Sequence, residues 1–421
     1  MPRSKQFREV LIVLAVSLVI AGTVGAVVPF STPESVGRVA FLRDVVARRP
    51  IAAAPYPLGY VGFAGLLMRV GGTTILTASQ AAVYVLTVLF SYATLIGLGV
   101  RDGWRVAGAL AVAFYPNLLM AVTRFQDTGL TCFLLTVFAW LMTRLKRDGF
   151  SPANVAIGGL LFGALLLVRP NAITLAPVAV WAGLYGRRAT AGQLAGLGAG
   201  AAIAFVALAA VLVPTKGRLV VFDRFQAAYT FGNGTHEHAL KGTLEDYNGE
   251  RTMSVSLEEH RLKFADFEQT TPELADEYIS FAFQFIRDHP FHYAALELVK
   301  TLNLFRPDYR NVGHSLIPGA IGFVVHTAIA GVFFVWAALR WRCRHLMELS
   351  DGLILIPTVM LYLAPFVATN SDPRYRVHLE PLFILESVVC FGLLCDARAR
   401  ATHVADTVQS PMIAAARTAP H

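Results

Sequence analysis

Charge is scarce in this chain of 421 residues, because Asp, Glu, Lys and Arg together make up only 15% of it. Hydrophobic residues make up 55%, and the mean hydropathy is +0.54. This composition excludes an ordinary soluble domain and is typical of a polytopic membrane protein. The net charge of +8 does not indicate nucleic-acid binding, because the excess sits in short clusters at the ends of apolar segments. No nucleic-acid partner is expected.

Cysteine is also scarce, and the four that occur are Cys132, Cys343, Cys390 and Cys395. Each lies in an apolar segment or next to a basic cluster, so neither a disulfide framework nor a thiolate metal site is expected. His236 and His238 form a His-x-His pair, but zinc requires further ligands that the spacing does not supply. The sequence contains no phosphate-binding Walker loop, dinucleotide-binding glycine motif or nucleophile elbow in a suitable context. We therefore predict neither a metal nor a cofactor.

Long apolar segments dominate the rest of the chain. The longer ones can cross about 30 Å of hydrocarbon as helices, and the shorter ones require their flanks to do so. The ten predicted spans are Val10–Phe30, Gly71–Val100, Val106–Thr123, Thr128–Thr143, Val155–Val168, Ala172–Tyr185, Ala191–Val213, Ile317–Leu339, Leu353–Thr369 and Val377–Cys395.

Short basic clusters alternate with the apolar segments and predict the topology. They are Arg3/Lys5/Arg8, Arg101/Arg105, Arg144/Lys146/Arg147, Arg187/Arg188, Arg340/Arg342/Arg344 and Arg398/Arg400. Clusters of this kind mark cytoplasmic helix ends, and ten spans with both termini in the cytoplasm place all of them there. The fold class is thus an all-α polytopic membrane protein. The absence of outer cysteines and the compact loops favour a bacterial inner membrane.

The predicted domains follow from this topology. Residues 1–213 form an N-terminal module of seven spans, residues 214–316 an outer loop of about a hundred residues, residues 317–395 a C-terminal module of three spans, and residues 396–421 a disordered cytoplasmic tail. The first outer loop, residues 31–70, is predicted to hold an interfacial helix over Glu34–Arg49 and a re-entrant or interfacial segment over Gly59–Val70. The large loop is predicted to contain two helices that meet at His289-Pro290.

Three acidic residues on the predicted outer side are candidate catalytic groups. Glu34 follows the first span, and in a partly dry site its pKa would rise towards that of a general base. Asp127 begins the fourth span beside Arg124, where a helix N-terminus and an arginine suit an anion or an oriented carboxylate. Asp44 is a third candidate.

Several basic residues also lie on that side, where the charge distribution of membrane proteins disfavours them. Arg169 ends the fifth span, and Arg374 and Arg376 precede the tenth. Guanidinium groups suit phosphate because they donate in a planar fork, and Lys300 could add a point charge. Glu380 and Glu386 near the last span are expected to pair with Arg169 or Arg376.

The residues resemble the GT-C glycosyltransferases. The resemblance rests on the acidic residue after span one, the motif Pro55-Tyr-Pro-Leu-Gly-Tyr60, Arg169-Pro170, and Arg374-Tyr-Arg376 before the last span. The most similar branch contains the dolichyl-phosphate-mannose protein mannosyltransferases and the lipid A aminoarabinose transferase. The resemblance covers most of the chain, from about Val10 to Leu394.

The resemblance implies a transferase that takes a sugar from a polyprenyl-phosphate donor on the outer face of the membrane, with inversion. The acceptor would be a lipid, glycan or protein, and membrane lipids would surround the site. Glu34 would be the base or acceptor-orienting acid, and Asp127 would match a second acidic position. The donor phosphate would lie near Arg124, Arg169, Lys300, Arg374 and Arg376, and the substrate cavity would include Tyr56, Tyr60, Asn171 and Tyr375. Two alternatives stay open: an O-antigen ligase or polymerase, and a lipid-linked sugar transporter or flippase.

Overall fold

The computed structural model is mostly helical, with no strand among the residues that it describes. These residues are 3–27, 39–40, 42–44, 46–47, 58–123, 125, 127–177, 190–212, 228, 231–239, 256, 258–259, 272–304, 320–344 and 377–417.

Eleven α-helices and one 3₁₀ turn lie within that part of the chain. They are α1 (Arg3–Val27), α2 (Leu58–Gly97), α3 (Asp102–Ala113), α4 (Pro116–Thr123), α5 (Asp127–Asp148), α6 (Pro152–Val168), the 3₁₀ turn Pro170–Leu175, α7 (Ala191–Leu212), α8 (Pro272–Asp288), α9 (Pro290–Leu304), α10 (Ala320–Cys343) and α11 (Glu380–Arg417).

The helices have the length and composition of a membrane protein. Within the described residues, α1, α2, α5 and α7 are each long and apolar enough to cross a bilayer. The pair α3 and α4, bent by 57° at its break, brings the number to five if it forms a single span. The described part of the chain is thus that of a helical membrane protein, and the finer division into ten spans stays a prediction. The predicted ninth span and most of the sixth lie outside the described residues.

Helix α2 is broken near its first third, at Gly71 and Gly72. Gly72 has φ 65° and ψ −157°, a backbone conformation that favours glycine. Beyond the break the chain folds back, since Gln80 Nε2 donates a hydrogen bond to the Tyr60 hydroxyl over 3.2 Å. In an unbroken helix those two residues would lie about 30 Å apart. The short apolar segment that ends at Val70 is therefore separate from the helix that follows, and its placement relative to the bilayer stays a prediction.

The core of the bundle joins α2, α5 and α11, with α1, α3, α4 and α6 around them. Large side chains such as Tyr84, Phe138 and Phe383 are fully buried there. Helices α6 and α7 pack differently, through small residues that let their backbones approach. A Cβ atom on Gly159 would lie only 2.8 Å from the Cα of Gly200. Small residues in this role are typical of helix pairs in membranes, where close packing supplies the attraction.

Side-chain contacts sort the helix ends into two groups. Lys5 pairs with Asp102 over 2.8 Å, and Arg101 pairs with Asp396 over 2.9 Å. These contacts bring together the starts of α1 and α3 and the middle of α11 at one end of the bundle, here called the Lys5 end. The start of α5 and the end of α6 meet at the opposite end, here called the Asp127 end. The assignment of the Lys5 end to the cytoplasm stays a prediction.

Helices α8 and α9 lie in the predicted large loop, and α11 extends into the predicted tail. Helices α8 and α9 occur where the sequence predicts them, and α8 ends just before His289-Pro290 because proline cannot continue its hydrogen bonding. Helix α11 continues to Arg417, and the disordered cytoplasmic tail over residues 396–421 stays a prediction. Its sequence after Arg400 contains several alanines, which have the highest intrinsic helix propensity.

Candidate functional site

Asp127 and Arg169 form an ion pair across two neighbouring helices. Asp127 lies in the first turn of α5, where a negative charge is stabilised by the helix dipole. Arg169 ends α6 in an extended conformation, because the following Pro170 disfavours a helical backbone at the residue before it. The Arg169 guanidinium contacts the Asp127 carboxylate, and their side chains are only 16% and 12% exposed. A cation and an anion are thus held together in a largely buried setting.

The start of α11 adds further polar side chains to this pair. His378 Nε2 lies 3.4 Å from Arg169 Nη2. Because arginine only donates hydrogen bonds, this contact requires the His378 Nε2 atom to be the acceptor, with the ring proton on Nδ1. Glu380 accepts a hydrogen bond of 2.9 Å from Asn117 Nδ2 of α4. We call Asn117, Asp127, Arg169, His378 and Glu380 the polar cluster. Its members lie in α4 and α5, directly after α6, and at or just before the beginning of α11, and His378 and Glu380 are each 1% exposed.

An apolar pocket lies beside the polar cluster. Its volume is small, about 10 Å³, and it lies among α2, α4 and α5. Its lining is Tyr60, Phe63, Gln80, Val83, Tyr84, Leu118, Ala121, Gly129 and Leu130. Gly129 follows Asp127 by two residues, so one wall of the pocket is the first turn of α5. Apolar side chains thus lie within a few residues of the charged pair, on the same helices.

Asp44 belongs to a short helical segment that is attached at the same end of the bundle. It is partly exposed, while the neighbouring Leu42 is buried in a cluster with Tyr60, Leu76 and Phe125. Phe125 lies two residues before Asp127. The first loop, the start of α2 and the start of α5 therefore share one hydrophobic contact region.

The structure describes only some of the remaining predicted site residues. Tyr60 lines the pocket, and Asn171 lies in the 3₁₀ turn that directly follows Arg169-Pro170. Six residues fall outside the described part of the chain: Glu34, Tyr56, Arg124, Arg374, Tyr375 and Arg376.

Lys300 has no exposed surface and already has a partner. Its Nζ atom donates to Glu297 Oε1 over 2.7 Å within α9 and lies 5.9 Å from the centre of the Tyr293 ring. Burial lowers the pKa of Lys300 and raises the pKa of Glu297. Lys300 is therefore a buried ion-pair residue in the described structure, and its role at a donor phosphate stays a prediction.

The expected pairing of Glu386 with Arg169 or Arg376 is wrong. Trp336 Nε1 donates to Glu386 Oε2 over 2.6 Å, and Arg340 Nε lies 3.4 Å from Oε1. Glu386 follows Glu380 by roughly 9 Å along α11, which directs it towards α10 and away from the Asp127 end. His378 and Asn117 were not predicted as site residues. Their signal in the sequence is a polar side chain within or beside an otherwise apolar segment.

A second polar group lies in the described residues of the large loop. His236 is fully buried, and its Nδ1 atom lies 3.0 Å from Ser256 Oγ and accepts the His238 backbone N–H over 3.2 Å. His238 Nε2 instead contacts Glu259 Oε2 over 2.9 Å. The two histidines thus have different partners, and burial lowers the pKa of His236 to about 4.

The burial of His236 predicts an acid-sensitive loop. The pKa is about 4 in the folded protein and close to 6.5 in the unfolded chain. Below pH 6.5 the unfolded chain takes up a proton on this ring, whereas the folded protein does not do so until the pH approaches 4. The free energy of unfolding is therefore highest above pH 6.5 and falls as the pH is lowered towards 4. The loss is on the order of 3 kcal/mol when complete.

The measurement is thermal unfolding in detergent between pH 7.5 and 4.5 for wild type and His236→Asn. The asparagine oxygen can replace Nδ1 as an acceptor, so the variant should lose less stability on acidification than the wild type. Parallel curves for the two proteins would contradict this assignment.

Comparison with known proteins does not assign this chain to a family. No protein-family model matches the chain, and no curated protein matches its sequence.

Proposed function

We propose that this protein is an integral membrane glycosyltransferase that moves a sugar from a polyprenyl-phosphate donor to an acceptor hydroxyl. The observation that carries the proposal is the Asp127–Arg169 pair, held at one end of the membrane helices beside an apolar pocket. The resemblance of the sequence motifs to those of the GT-C enzymes supports the same function. In this proposal the Asp127 end faces the exterior of a bacterial inner membrane, and both termini are cytoplasmic.

A polyprenyl-phosphate sugar has an apolar chain and a charged phosphate, and the site offers apolar surface and a cation. Nucleotide sugars are confined to the cytoplasm, so a transferase on the outer face requires a sugar carried by a lipid. The lipid chain would contact the apolar surface of the membrane helices, and its phosphate would lie near Arg169. A guanidinium group can donate two parallel hydrogen bonds to phosphate oxygens.

The transfer breaks the bond between the sugar C1 atom and the phosphate oxygen and forms a bond from C1 to the acceptor oxygen. The bonding electron pair leaves with the phosphate, whose negative charge Arg169 stabilises. The C1 atom passes through an oxocarbenium-like state. The acceptor proton goes to a carboxylate, for which Glu34 and Asp127 are the candidates. Attack from the face opposite to the phosphate gives inversion.

The polar cluster positions these groups. Asp127 holds the guanidinium of Arg169, and His378 touches it from α11. When a phosphate binds, it competes with Asp127 for the guanidinium, and this frees the carboxylate to accept a proton. Arg374 and Arg376, close before His378 in the sequence, are proposed to complete the donor-phosphate site.

The test is sugar transfer in proteoliposomes with polyprenyl-phosphate sugars and candidate acceptors. We expect activity in the wild type and a loss of about a hundredfold or more in the variant that lacks the base, either Glu34→Gln or Asp127→Asn. The matched control is Asp148→Asn, which makes the same change at the other end of α5, where Asp148 contacts Arg147. Full activity in both Glu34→Gln and Asp127→Asn would move the base to Asp44. No transfer with any donor, together with measurable lipid flipping, would replace the transferase by a transporter.

A further inference from the structure

Helix α9 has an unusual distribution of polar and apolar side chains. Its charged residues Glu297 and Lys300 face inwards, where they pair with each other and Lys300 is fully buried. Its large apolar residues face outwards: Phe291 is 90% exposed, Leu298 62% and Leu302 63%. The spacing of these three residues, seven and then four apart, places them on one side of the helix. We call Phe291, Leu298 and Leu302 the apolar stripe.

Helix α8, directly before it in the chain, has the opposite arrangement. Its buried side carries Ala275, Tyr278, Phe281, Ala282 and Phe285. Its exposed residues include Glu273, Asp276, Glu277, Gln284, Arg287 and Asp288, and Phe283, at 59%, is the one large apolar side chain that this helix exposes. This is the pattern of a helix that faces water. Two adjacent helices of the same loop therefore present surfaces of opposite character.

The exposed side of α9 matches the surface that membrane helices present to lipid. Between Phe291 and Leu302, Lys300 is buried, the Glu297 side chain is 20% exposed, and His292 is the one exposed polar residue. The candidate membrane span α7 likewise exposes Ile203 and Val206, which are 69% and 54% accessible. Hydrocarbon excludes charge and accepts such side chains, whereas an exposed contiguous apolar surface is rare on the water-facing parts of proteins.

We propose that α9 lies in the membrane interface, with the apolar stripe inserted among the acyl chains of the bilayer. The Glu297–Lys300 pair then faces the protein, where each charge is neutralised by the other. Helix α8 faces water above the bilayer. The occupant of this surface is lipid, because the stripe is uncharged along its whole length and belongs to a chain anchored in a membrane. An amphipathic helix that rests on a bilayer buries its apolar side in this way.

The proposal can be tested with spin labels on full-length protein in lipid nanodiscs. Single cysteines are introduced as Leu298→Cys and Leu302→Cys, with Gln284→Cys and Glu277→Cys on the exposed side of α8 as matched controls. The background carries Cys395→Ser, which leaves the buried Cys132, Cys343 and Cys390. Label mobility and collisions with oxygen, which concentrates in hydrocarbon, and with a nickel chelate, which stays in water, are then measured.

We expect the ratio of oxygen to nickel collisions at Leu298→Cys and Leu302→Cys to be several-fold higher than at the two α8 positions. An equal ratio at all four positions would mean that the stripe lies in water, and the proposal would be wrong. Labels at 298 and 302 that are immobile and shielded from both reagents would also overturn it. In that case the stripe would be covered by protein, either another segment of this chain or a second copy.

Discussion

Replacing Arg169 by glutamine is expected to lower the free energy of unfolding by on the order of 3 kcal/mol and to reduce sugar transfer to background. The first effect arises because the largely buried carboxylate of Asp127 would lose the guanidinium that pairs with it. The second arises because the proposed donor phosphate would lose its cation. Thermal unfolding in detergent and the transfer assay measure the two effects separately.

A double variant distinguishes these two roles of Arg169. Adding Asp127→Asn to Arg169→Gln removes the stranded charge, so much of the lost stability should return while transfer stays absent. Arg101→Gln is the matched control, since Arg101 pairs with Asp396 at the Lys5 end with its side chain 66% exposed. Exposed pairs contribute about 0–1 kcal/mol. If Arg169→Gln cost no more stability than Arg101→Gln, the buried pair would have no structural importance.

The second large effect is expected at the contact between α6 and α7. Gly159→Ala places a Cβ atom 2.8 Å from the backbone of Gly200, which is closer than atoms in proteins pack. The helices must separate, and overpacking of this kind costs about 1–3 kcal/mol. The consequence should be a lower unfolding temperature and a smaller monodisperse fraction after purification.

Gly198→Ala supplies the control because it makes the same change on the partner helix. A Cβ atom there meets nothing within 4 Å. The substitution should be neutral or should stabilise the helix by up to about 1 kcal/mol, since alanine has the higher helix propensity. Equal effects of the two substitutions would show that α6 and α7 are not in close contact.

The sequence predicted local features well, because they depend on neighbouring residues. Helices α8 and α9 begin at Pro272 and Pro290, as their sequences predict. The break in α2 at Gly71 and Gly72 coincides with the predicted start of the second span. Asp127 and Arg169 could be recognised singly, since each is a charge at the end of an apolar segment.

Which residues meet across the bundle could not be predicted, because contacts between helices depend on how the helices are arranged. The pairing of Asp127 with Arg169 spans 42 positions, and Asn117 meets Glu380 across 263. Glu386 was assigned the wrong partner for the same reason, since its helical position directs it to Arg340. The inward direction of Lys300 was also missed, because an amphipathic pattern does not reveal which side of a helix faces protein when lipid is also present.

The apolar stripe on α9 has a practical consequence for how the large loop can be studied. Residues 214–316 resemble a separable domain in length, and a fragment of that size is the obvious choice for crystallisation or antibody selection. Excised from its flanking helices, the fragment would carry Phe291, Leu298 and Leu302 into bulk solvent, where such surfaces drive self-association. If α9 rests on the bilayer as proposed, aggregates of that fragment would reflect the missing bilayer and would say nothing about whether the loop can fold.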